Sequence, residues 1–476
     1  MEAYKINFID FLLKTGALKV FESPSDDRTL KSKRISPWFV NIGDFNDGES
    51  SNALAGFYAD AVISSGVEAK VLYGIPDKGV GLAAPVAMAM ASKGHNVGWV
   101  FSRKDEKTHG EATNLGYEDR IKKLTVGRAP KVDDAIIQLD DVFTAGDAKY
   151  EANAFLKSLG RTNLPLLAIA VDRQEVAIDS REAIAEYQEK TGTCVVSIVN
   201  AVDVYNVLKE GNLAPKKALE RLANYLRVYG TKDVRAAIGK GLEQRVIGRD
   251  RSVIPACDVK TLEQFENLVK QTADIDGIGG YKIGFGLGLR YGLSRVVETA
   301  RKYTNKTLIY DHQKAATDIP DTGKDFAELT KEAGIDAVIL FPQSGPETER
   351  AWIYHALDYG LKVIVGGEMT HSAYKKSEGG FISDEMLDEM YLIGARAGIN
   401  NFVVPGNKLD RISHYKQIIE AEGISPIFYA PGFIAQGVKI SDAAKVAGNR
   451  FHRIVGRGIY AAKDIRAAAI EHTSQL

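Results

Sequence analysis

Apolar positions recur along this chain in two long, different arrangements. In the first half, short apolar runs at 69–73, 96–102, 135–139, 166–171 and 194–198 alternate with stretches of helical periodicity. This alternation predicts a doubly wound α/β domain, a parallel sheet with helices on both faces. From 211 to 249 the chain turns charged, with Leu219, Leu222, Ala223 and Leu226 at helical spacing and no strand-like run, which predicts a helical linker. Beyond it, eight strand-like runs follow at 252–257, 280–284, 307–310, 337–341, 362–365, 401–404, 427–429 and 453–455. Each leads into a polar or glycine-rich corner and then a helical stretch. Helix-ending glycines announce three of the strands, in Gly334-Ile335, Gly398-Ile399 and Gly423-Ile424. The pattern predicts a (β/α)8 TIM-type barrel at 250–476 after a first domain at 1–210. The barrel's chemistry is expected just past the C-terminal ends of its strands.

Composition narrows the class of protein. The 476 residues exceed one ordinary core, and their formal net charge of -1 offers no basic surface for nucleic acid or an anionic membrane. Cys194 and Cys257 lie in apolar runs without metal-ligand or redox spacing, which suits a reducing cytoplasm. Lys5, Asp10 and Lys14 interrupt the N-terminus, and the longest apolar run, 80–91, is too short to span a bilayer. A cytoplasmic protein acting on small molecules is expected.

The richest local string is AIIQLDDVFTAGDA, from Ala135 to Ala148. A buried strand ending at Asp140 and Asp141 leads into the small-residue turn Thr144-Ala145-Gly146 and then a helix carrying Asp147 and Ala148. Backbone N–H groups at such a turn cradle a phosphate, and the carboxylates accept hydrogen bonds from sugar hydroxyls. The alternative is an ordinary strand-to-helix corner with turn and first-turn acids. Upstream, Arg103-Lys104-Asp105-Glu106-Lys107-Thr108-His109-Gly110 concentrates cations in one loop. By itself this reads equally as a solvated surface loop.

In order along the chain, these strings resemble the type I phosphoribosyltransferases, and orotate phosphoribosyltransferases in particular. The resemblance implies that Asp140 and Asp141 hold the ribose of phosphoribosyl diphosphate, while Thr144, Ala145, Gly146, Asp147 and Ala148 hold its 5′-phosphate. It implies a mobile catalytic loop with Arg103, Lys104, Lys107 and His109. Lys31 and Lys78, the latter in Pro76-Asp77-Lys78-Gly79, would reach the diphosphate. Trp38 and Phe39 would lie against the pyrimidine, Trp38 replacing a smaller aromatic, and Arg173 of Asp172-Arg173-Gln174-Glu175 would grip orotate. Mg2+, carried mainly by the diphosphate substrate, and a homodimer or larger oligomer with a shared loop are implied as well.

The barrel carries a second motif, Asp311-His312-Gln313-Lys314-Ala315-Ala316-Thr317-Asp318-Ile319-Pro320-Asp321-Thr322, with Lys282 one strand earlier. It resembles orotidine 5′-phosphate decarboxylase, where alternating Lys and Asp residues surround the pyrimidine and the aspartate before Ile-Pro comes from the neighbouring subunit. The spacing departs from the family's Asp-x-Lys-x-x-Asp by one residue in each interval, and a bulge after the strand is expected to absorb the difference. The resemblance implies Lys282, Asp311, Lys314 and Asp318 as the catalytic array, with Lys314 the proton donor. Asp258 would meet the ribose, Thr370 the pyrimidine, and Gln436, Gly456 and Arg457 the phosphate, with Thr322 also in the site. No cofactor is implied for this half.

The two resemblances interlock, since the product of the first reaction is the substrate of the second and together they make UMP. Two other readings stay open from residues alone. The barrel suits a related sugar-phosphate decarboxylase or aldolase, which usually needs a metal. The first domain also suits a regulator that senses phosphoribosyl diphosphate without catalysis.

Overall fold

The computed structural model describes residues 1–103, 117–143, 146–239, 241, 243–312, 315–431 and 446–476, with backbone only at 117–119. The chain divides into two compact units, Met1–Leu226 with Gly230–Ile238, and Gly239–Leu476 with Arg227–Tyr229.

The first unit opens with two small antiparallel pairs. In them β1 (Leu18–Val20) pairs with β4 (Trp38–Val40), and β2 (Arg28–Thr29) with β3 (Ile35–Ser36). Its main sheet holds β5 (Val71–Gly74), β6 (Gly98–Ser102), β7 (Thr125–Gly127), β8 (Ile136–Leu139), β9 (Leu166–Asp172) and β10 (Cys194–Asn200), in the order β10-β9-β8-β5-β6-β7. All neighbours are parallel except β6 and β7. The apolar runs of the sequence become the five parallel strands. Burial of β5 and β8 at every position explains why they read as unbroken apolar runs rather than alternating ones. Val71, Tyr73, Ile136, Leu167, Ile169 and Tyr187 form much of the core on one face.

The segment expected to link the domains is helical, as Lys216–Tyr229 and Lys232–Ile238. It does more than link, because most of it packs within the first unit. Arg221 Nη2 meets Asp27 Oδ2 at 2.8 Å, and Thr231 N donates to Gln174 O at 2.9 Å.

The second unit is a barrel of eight parallel strands: β11 (Arg251–Pro255), β12 (Gly280–Gly284), β13 (Thr307–Asp311), β14 (Ala337–Leu340), β15 (Lys362–Gly366), β16 (Asn401–Val403), β17 (Ile427–Pro431) and β18 (Phe451–Val455). Bridges Val253–Ile278 and Ala256–Lys282 close it between β11 and β12. Ile254, Ile309, Ile339, Ile364, Val403, Ile427 and Ile454 fill the interior. Strand periodicity of two then dictates the next layer, because side chains two residues apart share a face. Asp311 follows Ile309 onto the inner face, and Lys282 lies opposite Ile309 in register.

Candidate active sites

At the C-terminal edge of the first sheet, β8 ends on two acids that are both ion-paired. Asp140 meets Lys149, a lysine buried in the first turn of the helix Asp147–Ser158. Burial raises the Asp140 carboxyl above its usual range, against the pull of Lys149. Asp141 Oδ2 accepts from Lys78 Nζ at 2.6 Å. Their backbones are equally constrained: Tyr58 Oη donates to Asp140 O at 2.7 Å, and Ala170 N donates to Asp141 O at 2.8 Å.

Two glycines make this corner possible. Gly79 presses the 76–79 loop onto the end of β8, so that a Cβ there would stand 2.1 Å from Leu139 O. That contact brings Lys78 to Asp141. Gly146, at the head of the next helix, has φ +88°, a left-handed backbone suited to glycine, and a Cβ would reach 2.9 Å from Phe143. Asp147 is exposed and Ala148 half-buried at the helix start.

A second cluster forms where β9 ends. Arg173 lies 4.0 Å over the Trp38 ring, donates from Nε to Glu175 at 2.7 Å and from Nη2 to Ser36 Oγ at 2.9 Å. Arg34 donates to Val176 O at 2.7 Å and lies 3.5 Å from the other Glu175 oxygen. Trp38 is fully buried and one face is covered by Arg173, so it forms the floor of this cluster, while Phe39 is half-buried. Lys31 and Arg103 are exposed. Lys104, Lys107, His109, Thr144 and Ala145 lie outside the described residues.

In the barrel, a cavity of about 500 Å³ opens at the C-terminal ends of the strands. Lys282, only 6% exposed, sits in its wall. Its Nζ donates to Asp311 Oδ2 at 2.8 Å and lies 3.7 Å from Asp258 Oδ1. Burial alone would discharge this lysine, but the two carboxylates more than compensate and its pKa is raised. Thr370 lines the same cavity, as do Gly456 and Arg457. One cavity therefore offers a buried cation between two carboxylates, a hydroxyl and an arginine beside a glycine corner. Asp318 and Thr322 are not in its lining; Asp318 is exposed and Thr322 caps back onto Ile319 O at 2.8 Å. Lys314 and Gln436 lie outside the described residues, as does part of the expected bulge.

Several participants escape a reading of the sequence. Lys149 has a faint signal, since a lysine in a helix's first turn opposes the macrodipole and needs an anion nearby. Glu368 is buried at the cavity wall, where Lys408 reaches it at 2.9 Å, Arg411 at 2.8 Å and Tyr415 at 2.5 Å. Its partners lie some forty positions downstream, and nothing local announces them. Among the described residues no group of three or more His, Cys, Asp or Glu converges on a metal position. No described helix is long and apolar enough to cross a membrane.

Comparison with known proteins identifies both halves. Residues 251–471 match the orotidine 5′-phosphate decarboxylase / HUMPS family. Orotate phosphoribosyltransferase of Ruthia magnifica is 36% identical over 231 residues, covering 48% of this chain and 100% of that protein. Orotate phosphoribosyltransferase of Vibrio parahaemolyticus is 38% identical over 232 residues, with the same two coverages, 48% and 100%. The solved structure of orotidine 5′-monophosphate decarboxylase from Methanocaldococcus jannaschii with the inhibitor BMP aligns over 48% of this chain and 99% of that one, at 25% identity and a TM-score of 0.42. The chain belongs to the orotate phosphoribosyltransferase family over its first half, and to the orotidine 5′-phosphate decarboxylase / HUMPS family over its barrel.

Proposed function

We propose that this chain makes UMP in two steps. Orotate and 5-phosphoribosyl 1-diphosphate give orotidine 5′-phosphate and diphosphate in the first half, and the barrel then releases CO2. The observation that carries the reading is the buried Lys282 held between Asp311 and Asp258 in a cavity that also holds Arg457. A phosphorylated nucleotide carrying a carboxylate suits it in charge and size.

In the first step N1 of orotate bonds to the anomeric carbon as the bond to diphosphate breaks, and N1 gives up its proton to solvent. Asp140 and Asp141 exchange their lysine partners for ribose hydroxyls, and the Thr144-Ala145-Gly146 turn with Asp147 and Ala148 receives the 5′-phosphate. Lys78, freed from Asp141, joins Lys31, Arg103, Lys104, Lys107 and His109 around the leaving diphosphate, where negative charge grows. Arg173 meets the orotate carboxylate above the Trp38 floor, with Phe39 at the side. Mg2+, carried mainly on the substrate's diphosphate and ribose oxygens beside Asp140 and Asp141, would neutralise charge on the leaving group.

In the second step the bond from C6 to the carboxylate breaks, leaving its electron pair on C6. Lys314 donates a proton there and regains one from solvent. Asp311 crowds the departing carboxylate and, with Lys282, orders the charges. Asp258 meets the ribose, Thr370 the pyrimidine, and Gln436, Gly456 and Arg457 the phosphate. Asp318, exposed next to the exposed Ile319, serves the neighbouring subunit's cavity together with Thr322, so the active assembly is at least a dimer.

The test assays each half of the purified full chain separately. Orotate, phosphoribosyl diphosphate and Mg2+ should yield diphosphate, and added orotidine 5′-phosphate should yield UMP. Failure of the first removes the transferase reading. Failure of the second leaves the barrel to another sugar-phosphate reaction.

A further inference from the structure

On the decarboxylase reading above, we infer that Thr348 and Trp352, on the helix Pro346–Asp358, are positioning residues for the neighbouring subunit's cavity. They act by holding the loop that carries Asp318. Asp318 is exposed, and one of its carboxylate oxygens accepts from the next backbone N–H, Ile319 N, at 2.8 Å. A side chain held so locally is aimed by its own main chain.

That main chain is anchored from the next strand-helix unit of the barrel. Thr348 Oγ1 donates to Asp318 O at 3.0 Å, and Trp352 Nε1 donates to Ile319 O at 3.2 Å. The two donors stand four residues apart, so they share one face of the helix and meet two consecutive carbonyls. Both side chains are buried, where a hydroxyl and an indole N–H each need a partner. Before Asp318, Phe341 N donates to Ala315 O at 2.8 Å, and Ala316 follows with φ +69°, an unfavourable conformation for a residue with a side chain. After it, the Trp352 ring lies against Gly323, where a Cβ would stand 2.7 Å from Cδ1. Thr322 Oγ1 shares the Ile319 carbonyl at 2.8 Å. One anchor therefore serves both residues assigned to the neighbour's cavity.

Two full-length variants test this. Thr348→Val keeps the shape and removes the hydroxyl, and Trp352→Phe keeps a ring and removes the N–H. Each should lower kcat/KM for added orotidine 5′-phosphate about tenfold through a misplaced Asp318. In an Asp318→Asn background each should add less than about twofold. The decisive arm co-expresses Thr348→Val, or Trp352→Phe, with Lys282→Met in equal amounts. A mixed dimer then joins an intact Lys282 cavity to an intact Asp318 loop, and decarboxylation should exceed the mean of the two parents about fivefold. Asp318→Asn co-expressed with Lys282→Met should recover in the same way. If that pair recovers while the Thr348 and Trp352 pairs give only the mean, these residues act within their own subunit and the inference is overturned. An unchanged kcat/KM in both variants, or a full additional loss in the Asp318→Asn background, also overturns it. If no pair recovers, Asp318 does not serve the neighbour, and that assignment falls together with the inference. If the wild-type chain does not decarboxylate orotidine 5′-phosphate, the decarboxylase reading itself fails.

Discussion

Lys282 illustrates how far a single side chain can be read. Strand periodicity puts it on the inner face, but its charge state depends on Asp311 and Asp258, which arrive from two other strands. Replacing it by methionine removes the cation that holds the Asp311 and Asp258 carboxylates together at the cavity wall. Lys282→Met should lower decarboxylation of added orotidine 5′-phosphate by at least about 10²-fold, while diphosphate release from the first half continues. Product assays on the same preparation check both. Asp172 gives a pH signature in the other unit. Burial raises its carboxyl from 3.8 to about 6, against the hydrogen bond from Gln174 N. A raised acid favours folding when protonated, so the contribution is present at low pH and lost as pH rises through about 6. Asp172→Asn should therefore melt higher than wild type above pH 6, with the gap closing towards pH 4. Calorimetric scans across that range decide it, and a gap that widens at low pH would contradict the assignment.

Among elements, the strands were legible and their partners less so. The five parallel strands of the first sheet and the eight of the barrel follow from apolar runs bounded by turn residues. The glycines at 334, 398 and 423 all adopt left-handed φ as the helix-ending reading requires. The short β7 and the small pairs β1–β4 and β2–β3 were not read, because two or three residues carry no periodicity. After 211 the chain forms the helices Lys216–Tyr229 and Lys232–Ile238, and only tertiary contacts reveal that most of this stretch belongs to the first unit. The same divide holds for the sites. Asp140, Asp141, Lys78 and Asp311 stand out by local sequence, whereas Lys149 and Glu368 find their partners far along the chain.

Gly79→Ala puts a Cβ 2.1 Å from Leu139 O. It should drive the 76–79 loop off β8 and reduce diphosphate release by more than about tenfold, while sparing decarboxylation. Separate kinetics of the two halves read this out. In the barrel, burial alone would raise Glu368, but hydrogen bonds from Tyr415, Lys408 and Arg411 outweigh it and bring the carboxyl from 4.5 to about 2. A depressed acid stabilises above its unfolded value, so this contribution is complete above about pH 4.5 and fades as pH falls towards 2. Glu368→Gln should melt lower than wild type at neutral pH and lose that deficit in acid.

For the whole molecule, the pairing of the two halves is what narrows the chemistry. The first unit builds a corner for ribose, phosphate and diphosphate, and the barrel builds a cavity for a nucleotide carrying a carboxylate. Each alone suits many substrates. Together, one half's product has the chemistry that the other half's cavity accepts. The direct test supplies the full-length chain with orotate labelled in its carboxylate, phosphoribosyl diphosphate and Mg2+, and follows labelled CO2 against diphosphate. The two should appear in equal final amounts, with UMP as the nucleotide product. Diphosphate without labelled CO2, and orotidine 5′-phosphate accumulating in its place, would contradict the two-step route to UMP.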